Sequence, residues 1–278
     1  MYGKKHIRVE DSVFRDGESP LKECSDVELS CCLFRWKYPL WYCDGVTADD
    51  CTWFEMARAG VWYSKNLTVR NANIEAPKNF RRCDGLTLEN VTFHNAQETL
   101  WHCKNVTLKN VTAANGPYFA MNSVNMDITG LSLDGNYSFD GAENVTIRDS
   151  RLITKDAFWN SKNVTVYDSF ISGEYLGWNS ENLTLVNCTV ESLQGMCYIK
   201  GLKMINCKLI NTNLAFEYSD VEAELTGRVD SVFNPRSGKI TAEAIDELIL
   251  EEDKIDISKT EIKCDKILKK SKKPEWIE

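Results

Sequence analysis

Histidine, basic charge and long apolar runs are all in short supply in this chain. There are three histidines, His6, His94 and His102, and no Cys-x-x-Cys pair. A zinc or iron–sulfur centre therefore has no sequence support, and neither metal nor cofactor is expected. No window reaches the 18 or more apolar residues of a membrane-spanning helix. The opening "MYGKKHIRVEDSVF" has charge but no apolar core of a signal peptide. The formal net charge of −8 lacks the basic footprint of a nucleic-acid binder. Eleven cysteines without an export signal read as reduced thiols, so a cytoplasmic location is expected. At 278 residues the chain is long enough for a full core.

What the chain has in abundance is repetition. SDVELSCC starts at Ser25, DGVTADDC at Asp44, KNLTVRNA at Lys65 and DGLTLENV at Asp84. KNVTLKNV, VNMDITGL, ENVTIRDS and KNVTVYDS follow from Lys104, Val124, Glu143 and Lys162. ENLTLVNC, KGLKMINC and the degenerate DVEAELTG close the series at Glu181, Lys200 and Asp220. These eleven copies are spaced by 19 to 21 residues, the mark of a solenoid. Within each, apolar residues alternate with Thr or polar ones, which is strand periodicity. Val106 and Leu108 face in and Thr107 faces out. A turn column of Asn71, Asn90, Asn110, Gly130, Asp149, Asp168, Asn187 and Asn206 suits left-handed backbone.

Three short strands and three bends per copy predict an all-β, single-stranded parallel β-helix of about eleven coils. Coils stacked at about 4.8 Å bury continuous apolar columns. The absence of a six-residue sub-repeat favours the right-handed over the left-handed form. One domain over residues 1–278 is expected: an N-terminal cap at 1–19, coils over 20–229, and capping strands and tail over 230–278. "GKITAEAIDELILEEDKIDISKTEIKC" is expected to finish the stack with irregular strands, and "KKSKKPEW" to be a solvated tail.

The four residues before each copy form columns of their own. The first is apolar and inward: Leu21, Leu40, Val61, Phe80, Leu100 and onwards. The last is small: Cys43, Ser64, Cys83, Cys103, Ser123. Between them lie two outward columns, and these carry what a core does not require. The first holds Trp41, Trp62, Arg81, Trp101, Asp140, Trp159 and Trp178; the second holds Tyr63, Arg82 and His102.

Stacking of like side chains for stability explains such columns, as does cover by a chain end. A binding face explains them too, because soluble proteins rarely expose aromatic stripes without a ligand or partner. Trp41, Trp62, Tyr63, Arg81, Arg82, Trp101, His102, Asp140, Trp159 and Trp178 are the candidate ligand-binding residues. A carbohydrate or other polyhydroxylated molecule is the leading ligand; a protein-interaction or oligomerisation scaffold is the alternative, and the pattern names no oligomeric state. For catalysis the candidates are Arg81, Arg82, His102 and Asp140, with His102 as acid or base and Arg as a carboxylate clamp. Glu55, Glu98 and Asp156 are further carboxylates in loops, and a glycosidase requires two such groups about 5–9.5 Å apart. Whether the chain is an enzyme is left open. Cysteines one coil apart, such as Cys83/Cys103 and Cys188/Cys207, are expected to be buried free thiols: in-register Cβ atoms stand about 4.8 Å apart, more than the roughly 3.8 Å a disulfide prefers. Asn-x-Thr triplets are a by-product of the turn pattern.

The segments "GESPLKE", "KYPLWY", "EMARAGVWY", "FRRC", "AQETLW", "FAMNS", "DGNYSFDGA", "DAFWN", "GEYLGWNS" and "LAFEYS" resemble the DUF3737 family along nearly the whole chain. These are bacterial proteins of unknown function, and the resemblance implies a pectin-lyase-like right-handed β-helix and no activity. Some relatives carry a hydrogenase label, from which this sequence departs, since it lacks paired Cys-x-x-Cys-type ligands. The Asp-rich clusters of pectate lyases and polygalacturonases have no counterpart here either.

Overall fold

The computed structural model describes residues 1–274. Its repeating element is a strand bent at a left-handed residue. In Lys65–Ile74, Asp84–Phe93 and Lys104–Ala113 the inward residues step by two, then by three, then by two: Leu67, Val69, Ala72 and Ile74 are all buried. The extra residue falls where Asn71, Asn90 and Asn110 take φ of +50°, +53° and +52°. A left-handed corner turns the strand so that both halves face the same interior, and Asn tolerates it better than other side chains. The corner amides also chain together: Asn110 Nδ2 donates to Asn90 Oδ1 at 2.7 Å, and Asn90 Nδ2 to Asn71 Oδ1 at 3.1 Å.

Strands of successive rungs pair in parallel, with like residues in register. Leu67, Leu86, Val106 and Met126 form one buried column, and Thr68, Thr87 and Thr107 stack outside it. The result is an all-β parallel solenoid. The strands that open its rungs begin at Lys5, Ser25, Asp44, Lys65, Asp84, Lys104, Val124, Glu143, Lys162, Glu181, Leu202, Asp220, Ser237 and Thr260.

That is about fourteen turns rather than the eleven expected. One addition lies in the presumed N-terminal cap. Lys5–Glu10 pairs with Ser25–Ser30, aligning Ile7 with Val27 and Val9 with Leu29. The other two lie in the C-terminal region, where Ser237–Ile249 and Thr260–Ser271 form regular parallel strands, Ile262 opposite Ile240. The expected tail is strand as far as Ser271, with Lys269 and Lys270 paired to Glu247 and Leu248; its residues beyond 274 lie outside the described residues. These rungs lack the Asn-x-Thr signature but keep alternating apolar positions, and alternation suffices for pairing onto an existing edge. The expected third strand forms at Leu40–Trp41 and Val61–Trp62 and continues as a single parallel bridge from Trp62 to Arg81. In most other rungs that segment is a turn or bend.

The chain divides into two compact units, Met1–Val145 and Thr146–Glu278. In the first, Leu21, Leu40, Val61, Phe80, Leu100 and Phe139 are no more than 1 % exposed. Each such side chain contributes about 1.5–3 kcal/mol on burial. Phe14, Phe34 and Trp53 stack face to face with centroids 4.8 and 4.9 Å apart. In the second unit Phe158, Met196 and Phe216 hold the same inward position.

The small column does more than fit a tight bend. Ser64 Oγ donates to Leu40 O at 2.9 Å and accepts from Cys43 N–H at 3.0 Å. Ser123 repeats this with Leu100 O and Cys103 N, as does Ser219 with Met196 O and Ile199 N. Cysteine substitutes as a weaker donor: Cys43 Sγ reaches Leu21 O at 3.1 Å and Cys103 Sγ reaches Phe80 O at 2.9 Å. All eleven cysteines are free thiols. Burial pushes those of Cys43 and Cys51 up to about 12, so they are protonated core residues.

Candidate functional site

In the first unit the candidate tryptophans Trp41, Trp62 and Trp101 are outward but folded down, whereas Trp53 is buried in the core. Trp41 Nε1 donates to Ala59 O at 2.6 Å, Trp62 Nε1 to Lys78 O at 2.8 Å and Trp101 Nε1 to Tyr118 O at 2.7 Å. Each acceptor belongs to the loop 16 to 18 residues on, so every indole pins the following rung. Arg81 takes the same role, with Nε on Glu98 O at 3.3 Å. Trp41 lies flat on Trp62, centroids 5.2 Å apart and planes within 5°. The Arg81 guanidinium is sandwiched between Trp62 at 5.0 Å and Trp101 at 4.2 Å. The broad indole faces that a sugar would stack on are thus largely taken by one another, and the edges remain.

Arg81 is also electrically satisfied. Its guanidinium is ion-paired with the Glu98 carboxylate, which Lys78 Nζ approaches at 3.2 Å. Glu98, a carboxylate against this surface, is therefore engaged by two cations.

The second outward column is freer. Tyr42 and Tyr63 stack at 4.9 Å with planes 5° apart, and Arg82 stands 5.9 Å over Tyr63. Arg82 and His102 are exposed, and Arg82 has no carboxylate partner among the described residues. Burial, then Arg82 and Arg81, hold the His102 imidazole below the usual histidine range. Trp62, Tyr63, Arg81, Arg82, Trp101 and His102 together line a cleft of about 200 Å³, smaller than the roughly 300–1,000 Å³ of ordinary small-molecule pockets. Six of the sequence-derived candidates therefore converge.

Asp140 does not join them. It lies one rung beyond Met121, two beyond Trp101, and takes no part in the lining; its carbonyl accepts from Asn122 N at 2.8 Å. An in-register stack moves one rung per repeat, so a shared column does not make a shared pocket. Trp159 and Trp178 belong to the other unit. Trp159 Nε1 donates to Tyr175 O at 2.8 Å, as the other staples do. Trp178 is half-buried, tilted between Trp159 and Tyr198. Of the loop carboxylates, Asp156 is 1 % exposed in the second unit, and burial raises its pKa.

The Tyr63 column, like the inward column beside it with Phe80 and Leu100 at +52° and +59°, is left-handed. Tyr42, Tyr63, Arg82 and His102 have φ of +58°, +58°, +53° and +52°. Asn122 and Gly141 hold the next two positions at +53° and +65°. The turn demands a left-handed residue, which costs a side chain other than Asn or Gly about 1–2 kcal/mol. The sequence pattern alone does not reveal this demand, because the column's composition is so mixed.

Larger depressions of about 390 and 270 Å³ lie over outer strand faces, one in each unit. Their linings mix signs, Lys203 and Lys239 with Glu222 in one and Arg8 with Glu10 and Glu28 in the other. No group of three or more His, Cys, Asp or Glu residues fit to hold a metal ion occurs among the described residues. No helix among them is long and apolar enough to cross a membrane.

Residues 1–263 match the model of a family described as "Protein of unknown function (DUF3737)". No curated protein matches the sequence. Among solved structures the chain is similar to HetL, a pentapeptide repeat protein of the cyanobacterium Nostoc sp. strain PCC 7120, at 9 % identity, covering 78 % of this chain and 90 % of that one with a TM-score of 0.33. It is similar to a mutant tailspike protein of E. coli bacteriophage HK620 in complex with pentasaccharide, at 8 % identity, covering 92 % and 69 % with a TM-score of 0.38. For PfbA, a Streptococcus pneumoniae surface protein and adhesin, the values are 8 %, 92 %, 75 % and 0.32. At these identities and scores the similarities assign neither ligand nor activity.

Proposed function

The chain belongs to the DUF3737 family, and from that premise we propose that the cleft between Trp62 and His102 binds an acidic, carbohydrate-like ligand. The observation that carries this reading is Arg82: a guanidinium with no carboxylate partner among the described residues, beside Tyr63 and His102, in a left-handed position, on a protein of net charge −8. Asparagine would relieve both the backbone cost and the crowding of positive charge, as Asn122 does one rung on. Keeping Arg and His there is costly for folding and useful for holding an anion.

Arg82 can grip a carboxylate with two parallel N–H bonds. The Tyr63 phenol and the His102 ring supply partners for hydroxyls. Glu98 is held by Arg81 and Lys78 and Asp140 lies outside the cleft, so the geometry favours binding over turnover. A right-handed, pectin-lyase-like winding and a cytoplasmic setting complete the reading.

Calorimetric titration with galacturonate oligomers at low salt tests it. Saturable heat is expected, and Arg82→Gln weakens binding about tenfold, the loss of one charge-assisted contact. No heat with uronates or neutral sugars ends the proposal. Exposed Tyr42 and Tyr63, 48 % and 36 % accessible, favour a second reading as a protein-docking face. Light scattering that shows an oligomer dissociated by Tyr42→Ser would support that reading instead.

A further inference from the structure

Trp178 breaks the stapling rule. Trp41, Trp62, Trp101 and Trp159 all donate their indole N–H to a loop carbonyl of the following rung. For Trp178 the corresponding carbonyl, 16 residues on, is Gln194 O, which instead accepts from Cys197 Sγ at 2.9 Å. The reason lies just upstream. The pairing of Thr189–Leu193 with the next strand shifts register between Glu191 and Leu193, and a bulge re-aims the chain that follows it. The Trp178 N–H is left without an acceptor among the described residues.

Its surroundings are aromatic and polar. The Tyr198 ring tilts against Trp178 at 4.7 Å, with Tyr218 a further 5.4 Å along. Tyr198 is 38 % exposed. Both tyrosines hold left-handed positions, at φ +58° and +49°, where Asn160 and Asn179 stand in the preceding rungs. The backbone carbonyl of Glu217 accepts from Tyr198 N at 2.8 Å. Its carboxyl receives one bond, from Gln194 Nε2 at 2.8 Å, and has acceptor capacity to spare. Burial is the main cause raising the pKa of both Glu217 and the Tyr198 phenol.

We propose that Trp178, Tyr198, Tyr218 and Glu217 form a second binding site, for a neutral polyhydroxylated chain such as a glucan segment. The indole N–H donates to a hydroxyl, the Glu217 carboxyl accepts from one, and the tyrosines offer ring surface and phenols. An acidic ligand is disfavoured, because Glu217 would repel it and Lys200, a cation of this segment, is paired with Glu181 at 3.2 Å. The site stands on observations independent of the cationic cleft.

Indole-¹⁵N-labelled full-length protein tests it by NMR, with maltohexaose, cellohexaose and trigalacturonate as probes. The Trp178 indole proton is expected to exchange with water fastest among the five column indoles and to shift with a neutral hexasaccharide at millimolar concentration. Trp178→Phe keeps most of the ring and removes the donor, so it weakens that binding about tenfold while leaving uronate binding at Arg82 unchanged. Tyr198→Phe, which changes one hydroxyl, provides a milder variant should the first fail to fold. A Trp178 proton as protected as that of Trp159, no shift with either neutral sugar, or a shift with trigalacturonate alone overturns the proposal.

Discussion

Replacing Arg82 or His102 by Asn is expected to make the protein more stable while removing its cleft chemistry. Both residues sit at left-handed φ, +53° and +52°, at a cost of about 1–2 kcal/mol each that Asn largely avoids. Arg82 has one offsetting contact, with Tyr63 at 5.9 Å, and an exposed cation–π pair of that kind contributes about 0.5 kcal/mol. The net expectation is about 1 kcal/mol of stabilisation for either variant. With a urea slope of about 3 kcal/mol/M, reasonable for a chain of this size, the midpoint rises by about 0.3 M. The assay is urea unfolding followed by circular dichroism at pH 8, where His102 is neutral and its repulsion by Arg82 is absent. Asn122→His in the adjacent rung should lower the midpoint by a similar amount. A fall in midpoint for Arg82→Asn and His102→Asn, at unchanged slope, would refute the claim that this column is strained for function. No change for Asn122→His would refute it equally.

Other outcomes follow from single contacts. Ser64→Ala strands the buried N–H of Cys43 and removes a donor to the carbonyl of Leu40 and should cost about 1–3 kcal/mol; Ser64→Cys, which the repeat already uses elsewhere, should cost less in the same urea assay. Trp62→Phe keeps the stack on Trp41 but loses the bond to Lys78 O, a loss of about 1 kcal/mol read by thermal unfolding. Glu217 has a raised folded pKa: the folded state holds its proton to higher pH than the unfolded one, so its contribution is favourable at low pH and is lost as pH climbs above the ordinary carboxylate range. Glu217→Gln should therefore stabilise the protein at pH 8 and not at pH 4. His102 is held below its usual range, so affinity for an acidic ligand should rise as pH falls below about 6.5, and His102→Asn should flatten that dependence in calorimetry.

The sequence is explicit about the solenoid because each rung must repeat its neighbour's demands. Leu67, Leu86 and Val106 align because parallel pairing in register buries them together, and Asn recurs at 71, 90 and 110 because the corner requires it. The outer rungs were harder to read. Lys5–Glu10 and Thr260–Ser271 alternate like strands yet carry charges where inner rungs carry Asn and Thr. The six cleft residues were legible as a break in that regularity, as side chains the core does not ask for.

Sequence alone thus determined the parallel stacking, the inward columns and which positions face out, since all of these follow from a period imposed by backbone pairing. Only the tertiary structure decided what the outward side chains do. Indole edges bond a loop 16 to 18 residues away, Arg81 is spent on Glu98 and Arg82 is not, and a bulge at Glu191–Leu193 releases Trp178. These depend on where one rung's loop meets the next. That is set by local turn geometry, which periodicity averages away.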